Sequence, residues 1–485
     1  MNPEQDAPPE APPGNERAIP LKTGVAFFFA VISVQLSMEY ISQYGPYFLH
    51  PPEGTGRTAY VGLGLIAVVF FCGRLFDAVT DPLVGLWSDR LPFGRARRLL
   101  RLLEGKRRPF IFWGSLALAG TLVAFWYPPR PAESSANFVY AFAVLLLHWA
   151  FLTCCAVPLY ALVPDIARTK QTRVALGAWI GAGTTAGVFI AIAVAGELIP
   201  HLDPARNGTA EFAPNATEAF SPAGYQRVAW IFALLSLAAF QFLVWTVKEP
   251  DEKASTAQSP WKAVQHALTD RRFLHYFLIF LLFNIGFLAP QRVLPHWVEV
   301  ALGGDESTVA WVLLPFIGSS LAVAMLAPTL ARWLTPKHMM ILSLAIMTVG
   351  LPWMYVIGVA ALSHTARLHL AQILFGFTGI GNGLLYVIVF PLLGAIIDRI
   401  NEERQERTEA LLFALNNITW KAGTAFSVVV AMLCLDWLGD SVSNPTGILM
   451  VGPVGAVFSG GALVAALNYD MGGGASDSVS PDSTS

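Results

Sequence analysis

Twelve apolar stretches follow one another along nearly the whole chain, each close to or beyond the roughly 20 residues a helix needs to cross a bilayer. They fall at about 22–48, 58–90, 109–127, 137–165, 174–200, 224–247, 272–300, 308–333, 338–361, 366–397, 408–436 and 447–468. Hydrocarbon offers no water to the backbone, so such stretches are predicted to be helices, which satisfy their own N–H and C=O groups. Of 485 residues, 54% are apolar and 13% charged. That is about half the usual charged share, too little to cover a water-facing surface. A net charge of −2 provides no basic face for nucleic acid. The four cysteines, Cys72, Cys154, Cys155 and Cys434, all lie inside apolar stretches, which excludes a disulfide framework. The first stretch is too long for a signal-peptide core and is expected to be retained.

The basic residues orient the spans. Of 31 Lys and Arg, 21 fall on the connections after spans 2, 4, 6, 8 and 10, eight of them between Arg90 and Arg108. The opposite connections hold five: Arg57, Arg130, Arg206, Arg227 and Arg367. Positive loops stay inside, so both termini are expected to be cytoplasmic and the protein to be multi-pass in a plasma (inner) membrane.

The chain also repeats. Span 4 ends in Pro158 to Asp165 and span 10 in Pro391 to Asp398, with the same spacing and a basic loop after each. Parallel halves of six helices are one repeat architecture of secondary transporters, with the site at the midplane between them. The expected organisation is an all-α polytopic membrane protein of twelve helices in two pseudo-symmetric six-helix bundles. The N-terminal bundle occupies 22–247 and the C-terminal one 272–468. A polar cytoplasmic connector at 248–271 joins them, with disordered tails at 1–21 and 469–485.

Charges within the spans cost about 2.5 to 3.5 kcal/mol each even on the lenient insertion scale, so each needs a reason. Span 2 holds Arg74, Asp77 and Asp81. Asp77 and Asp81 are four residues apart and share a helical face. Counted from Asp89 at the cytoplasmic end at 1.5 Å per residue, they lie about 18 Å and about 12 Å deep. Like charges on one face repel, and the pair persists only beside a cation, a shared proton or a basic partner. Lys421, in span 11, lies about 19 Å in from its own cytoplasmic end. Two spans of opposite direction thus bring an acid and a lysine to one depth, as a buried structural pair or as a site where a cation and Lys421 compete for the acids.

Other polar residues say less. His148 lies near the middle of span 4 and fits either a cavity lining or a hydrogen-bonded structural role. Glu39 and Arg292 sit toward the outer ends of spans 1 and 7, where snorkelling is the cheaper explanation. The small residues from Gly181 to Ala186 imitate a dinucleotide pattern with no strand before it, and read better as a surface for close helix packing. Asn207 and Asn215 begin glycosylation sequons in the outer loop after span 5.

The run GRLFDAVTDPLVGLWSDR in span 2, with GKRRPFIFWGS opening span 3, resembles the melibiose-permease type of the glycoside-pentoside-hexuronide cation symporters, a branch of the major facilitator fold. The likeness extends through VPLYALVPDIARTKQTR and AIIDRINEERQERTEALLFALNNITWKAGTAF. The resemblance implies alternating access and uptake driven by Na⁺, Li⁺ or H⁺, with no other cofactor. Carried over, it implies cation binding by Asp77, Asp81, Thr80 and Thr153, charge partners at Arg74 and Lys421, and sugar stacking at Tyr160. Lys421 and His148 are expected to add substrate contacts, and Asp89, Arg95, Asp165 and Asp398 to serve gating.

The departures bear on substrate. Counted without gaps, the family's helix IV, V and I sugar-binding positions become Ala156, Gly181 and Val31. A cavity so lined lacks most of the polar grip that selects a hydroxyl-rich ligand. The sodium-dependent lysophospholipid symporters, distant relatives of the same type, also combine the helix II acids and the helix XI lysine with a less polar cavity. The expected function is therefore cation-coupled symport of a small organic solute, most simply a glycoside or other sugar derivative. A lysophospholipid or similar amphiphile, or an uncoupled facilitator or exporter, is the alternative. No HExxH, GxSxG or Walker motif occurs, so an enzyme is not expected. A monomer is expected.

Overall fold

The computed structural model describes residues 19–90, 106–206, 221–249, 271–330, 332–404 and 409–468. Twelve helical spans account for nearly all of them. In the first half these are α1 (Leu21–Leu49), α2 (Leu63–Arg90), α3 (Arg108–Ala124), α4 (Ser135–Ile166), α5 and α6 (Ala223–Thr246). Span α5 runs from Lys170–Phe189 through a π-helical turn, Ile190–Val194, into Ala195–Leu202. In the second half, α7 is Arg271–Trp297 continued by the π-turn Val298–Leu302, and α8 is Glu306–Leu330. Span α9 is Pro336–Gly350 and Trp353–Val359, followed by α10 (His364–Arg404), α11 (Glu409–Leu438) and α12 (Thr446–Leu467).

Eleven of the twelve have the length and apolar content to cross a membrane, and α3, at 17 residues, is shorter. Two sequence expectations needed adjustment. Residues 50–62, read partly as the start of span 2, form a largely non-helical connection. Span 9 is broken at Leu351–Pro352, where the proline has no N–H to continue the helical ladder. Local signals elsewhere were kept: Ser134 caps α4 by accepting from Asn137 N (3.2 Å), and Thr169 and Thr172 form a capping box at α5.

Helix pairing repeats across the two halves. The first half packs α1 on α5 and α6, α2 on α4, and α3 on α4 and α6. Adding six to every number gives α7 on α11 and α12, α8 on α10, and α9 on α10 and α12, and each of those pairs is present. Between the halves, α2 packs on α11, α5 on α8, and α1 on α7.

Large apolar side chains on the outward faces, among them Trp113, Trp230, Trp311, Met325 and Ile373, are exposed. Such a girdle would aggregate in water and is a lipid-facing surface. Small residues set the closest helix contacts inside. A Cβ on Gly183 would collide with the Phe28 carbonyl of α1, and one on Gly187 with Gln35. Gly183 and Gly187 therefore form a close-packing surface, as the composition of the segment suggested, whereas Gly181 does not share it.

Candidate functional site

The N-terminal end of α1 and the C-terminal end of α12 lie on what is here called the terminal face, and the α1–α2, α7–α8 and α11–α12 connections on the distal face. Midway between them, α2 carries Arg74, Asp77 and Asp81 on adjacent turns. Pro82 follows the second acid and leaves the Ala78 carbonyl without its helical donor, so an oxygen is freed beside the acid pair.

Thr153 of α4 meets both acids. Its Oγ1 lies 2.9 Å from Asp77 Oδ1 and 3.2 Å from Asp81 Oδ1. A hydroxyl has one hydrogen, so it donates to one carboxylate at a time, and Asp77 is the nearer. Thr80 Oγ1 donates to the Asp77 carbonyl (3.2 Å) and lies 3.4 Å from Thr153 Oγ1. Two carboxylates, two hydroxyls and a carbonyl make an all-oxygen set, the donor type that suits a hard cation.

Lys421 enters from α11, in the other half. Its ammonium is 2.6 Å from Asp81 Oδ2, 2.8 Å from Asp77 Oδ2 and 3.2 Å from the Asp77 carbonyl. Arg74 stands on the distal side, 3.9 Å from Asp77 Oδ2, donating to Ser42 Oγ (3.1 Å), its guanidinium 3.8 Å from the Trp149 ring centroid. Two cations and two anions thus cancel in one layer. The side chains of Arg74 and Asp77 are each 8% exposed, whereas Asp81 is 24% exposed. The layer is therefore most open at Asp81, its side nearer the terminal face.

The remaining sequence-predicted residues divide. Tyr160 is 40% exposed and lies two helical turns from Thr153 on the same face of α4. A Cβ at Gly181 would meet nothing within 4 Å, which leaves open space where the family's helix V sugar-binding position falls. His148 does not line a cavity in this conformation. It is fully buried, with Nε2 3.0 Å from the Ser37 carbonyl and Nδ1 3.3 Å from Thr121 Oγ1, so both ring nitrogens are occupied within the first half. Val31 is also fully buried, turned onto Gly183 by the close α1–α5 packing.

Asp165 pairs with Arg107, which also bonds the Ala161 carbonyl (2.7 Å) and, through its backbone N–H, Glu249 (2.9 Å). That joins α3 and α4 to the end of α6. Arg95, Asn207, Asn215, both tails to residue 18 and from 469, and the connector from 250 to 270 lie outside the described residues, as do the side chains of Asp89 and Asp398.

Glu39 and Arg292 correct the snorkelling expectation. They approach across the halves at 3.7 Å, and Arg292 is only 2% exposed. Beside them, Gln43 Nε2 donates to the Gln291 carbonyl (3.0 Å).

A second charged layer, at the distal face, was missed entirely. Arg57, on the α1–α2 connection, bonds Glu306 (2.6 Å) and Glu299 (3.1 Å). Glu306, fully buried, also receives Tyr225 OH (2.6 Å) and Arg206 Nη1 (3.0 Å), while Tyr47 OH donates to Glu299 (2.8 Å). Gly303, at φ +66°, takes the left-handed turn that leads α7 into α8 and returns Glu306 beside Glu299. Burial works against the Arg57 charge, yet Glu306, Tyr47 and Glu299 together hold its guanidinium well above the ordinary arginine range. The available signal was a lone arginine on a charge-poor side. Its partners lie more than 200 residues away, beyond the reach of any local pattern.

Comparison with known proteins places this geometry in a family. Residues 22–447 match the family described as MFS/sugar transport protein. An uncharacterized symporter of Synechocystis is 22% identical, over 83% of this chain and 84% of its own length. The sodium-dependent lysophosphatidylcholine symporter 1-A of Danio rerio is 20% identical, over 77% and 71%. A putative glycoside/cation symporter of Escherichia coli is 31% identical, over 24% of this chain and 23% of its own. Among solved structures, the nucleoside transporter NupG superposes with a TM-score of 0.62 at 13% identity, covering 93% of this chain and 98% of that one. A bacterial homologue of the iron transporter ferroportin, in an inward-facing state, gives 0.63 at 14% identity, covering 93% and 98%. At these identities the structural likeness is one of fold: twelve helices in two bundles.

Proposed function

The chain belongs to the MFS/sugar transport protein family, and from that premise we propose that it is a cation-coupled symporter, moving a small organic solute across the membrane by alternating access. The coupling ion is Na⁺, Li⁺ or H⁺, bound by Asp77, Asp81, Thr80 and Thr153. The observation that carries this reading is the seat of Lys421 Nζ between the two carboxylates, 2.6 and 2.8 Å away, where a monovalent cation would bind.

The charges explain how binding reaches the other half. Arg74 and Lys421 already neutralise Asp77 and Asp81, so an arriving cation makes the layer net positive and competes with the ammonium for the same oxygens. Lys421 is a tie between α2 and α11. Displacing it loosens that tie and frees a charged donor for the solute, so cation and solute bind in favour of one another.

The two halves are joined at the distal face by the Arg57–Glu306–Glu299 network, and the acid layer opens through Asp81 away from it. With both termini cytoplasmic, in a plasma membrane, this is the inward-facing form of a monomeric transporter. The Arg107–Asp165 pair belongs to the gating apparatus of the inner face.

For the solute we take a glycoside or other sugar derivative, stacked on Tyr160 and reached by Lys421, with Glu39 and Arg292 in place of the absent polar positions. The open space beside Gly181 favours a second reading, an amphiphile such as a lysophospholipid. A thermal-shift screen of the purified protein against sugars, organic acids and lysolipids, each in Na⁺, Li⁺ and K⁺, tests both. Stabilisation by one solute class that is larger in Na⁺ or Li⁺ than in K⁺ is expected. A response to solute that ignores the cation would turn the reading to an uncoupled facilitator.

A further inference from the structure

Lys421, the acid pair, Arg74, Glu39 and Arg292 form one series of alternating sign across the midplane. Lys421 of the second half faces Asp81 and Asp77 at 2.6 and 2.8 Å, Arg74 follows at 3.9 Å from Asp77, and Glu39 of α1 faces Arg292 of α7 at 3.7 Å. Arg74 joins the two groups. Its Nη2 donates to Ser42 Oγ of α1 (3.1 Å), three residues along the same helical face from Glu39, and the charges of Glu39 and Arg292 both bear on it. Three acids and three bases cancel, and the second half supplies the cation at either end.

The links differ in strength. Lys421 lies within hydrogen-bonding distance of both acids, whereas the Arg74–Asp77 and Glu39–Arg292 approaches, at 3.9 and 3.7 Å, exceed the roughly 2.7 to 2.9 Å of a charge-assisted hydrogen bond. Arg74 also rests on Trp149, 3.8 Å from its ring centroid, and a ring face attracts a cation without fixing a hydrogen-bond direction. Passage of Arg74 from Asp77 toward Glu39 therefore breaks no short bond to a carboxylate. Arg74 is 7% and Arg292 2% exposed, so little water screens these charges.

We propose that Glu39 and Arg292 are positioning residues that set how closely Arg74 covers Asp77, so that a solute drawing the Arg292 guanidinium away raises the affinity of the cation site. While Arg292 holds Glu39, Arg74 stays with Asp77. Once Arg292 is taken, Glu39 attracts Arg74, Asp77 is uncovered, and the cation is held more tightly. By reciprocity a bound cation drives Arg74 toward Glu39 and releases Arg292 to the solute. A solute that donated to Glu39 instead would keep Arg74 in place, so the solute is expected to present an oxygen acceptor, such as a carboxylate or phosphate, to α7. The relay rests on the reading of Asp77 and Asp81 as a site for Na⁺ or Li⁺.

Removing the Arg292 charge imitates the solute, so the full chain in lipid nanodiscs, without solute, carries the test. Na⁺ and Li⁺ affinities are measured by isothermal titration calorimetry for the native protein, Arg292→Gln, Glu39→Gln and the double variant. Arg292→Gln is expected to bind the cation about fivefold or more tightly than the native protein, the scale of coupling between sites. In the Glu39→Gln background the same change is expected to alter affinity by less than about twofold, the margin within which independent changes add. A through-space effect of the lost charge would give equal gains in both backgrounds. That result, or native affinity in Arg292→Gln, overturns the relay while leaving the cation site standing. If Arg292→Gln folds poorly, Glu39→Gln and the double variant are compared directly: equal affinities uphold the relay, and tighter binding by the double overturns it. A native protein that binds neither cation removes the site itself, and the relay with it.

Discussion

Lys421 reaches Asp81 with 2.6 Å between ammonium nitrogen and carboxylate oxygen, although the two residues lie 340 positions apart and on opposite halves. The pair fixes where the halves meet at the midplane. Without Lys421, two carboxylates face each other across one threonine hydroxyl. Lys421→Ala should therefore lower stability in cation-free buffer by about 3 kcal/mol, the scale for breaking a buried pair. Added Na⁺ or Li⁺ should restore it, at concentrations at least tenfold below those the native protein needs. Differential scanning fluorimetry with cation titration measures both, and unchanged cation response would contradict competition for the site.

Asp77→Asn and Asp81→Asn each remove a charge at nearly constant volume. Cation-dependent stabilisation and gradient-driven solute accumulation in proteoliposomes should be lost, with folded yield largely kept. If yield fell while cation dependence survived, the acids would be structural. The two variants should differ in stability, because Asp77 is the more deeply enclosed and also faces Arg74.

Glu306→Gln leaves Arg57 and Arg206 facing a neutral amide in a closed environment. The distal closure should weaken, by about 3 to 5 kcal/mol if the network resists relaxation. A cysteine at Gln43, just beneath the network, should then react with a membrane-impermeant maleimide from the distal side at least tenfold faster than in the intact background. Equal labelling rates would mean the network does not seal that face.

Glycines of α5 should separate packing from transport. Gly183→Val must push into the Phe28 backbone and should lower thermal stability severely, whereas Gly181→Val enters open space and should leave folding intact. If Gly181 lies on the solute path, its substitution changes the KM for the transported solute. Fluorescence-detected size exclusion after heating distinguishes the two.

Topology follows from the basic loops. Reporter tags on Met1 and Ser485 should both be cytoplasmic, and Ala136→Cys should be labelled from outside. Tags on opposite sides would refute an even number of crossings.

The spans were legible because crossing hydrocarbon demands uninterrupted apolar sequence, and the acid layer because a charge in such a stretch is conspicuous. Asp77 and Lys421 could even be set to one depth by counting residues. The distal network was not legible. Arg57, Glu299 and Glu306 stand near helix ends, where charges are cheap and carry no signal, and only the folded chain shows them closed over. Glu39 and Arg292 were read as snorkelling for the same reason. For His148 the sequence left a cavity lining and a hydrogen-bonded structural role open, and both its nitrogens are satisfied within its own bundle, which matches the second. Val31 was aligned to the solute site by counting alone, and the close approach of α1 to Gly183 turns it inward.

Helix pairing is duplicated, but chemistry is not. Span α8 occupies in the second half the place of α2 in the first, and after Glu306 at its start it contains no ionisable residue. The fold thus repeats its walls and, among the described residues, equips only one set of them with an acid pair. With one acid pair and one opposing lysine at this layer, the stoichiometry there is set by the number of sites rather than by affinity. Each turn of the cycle is expected to carry a single coupling ion.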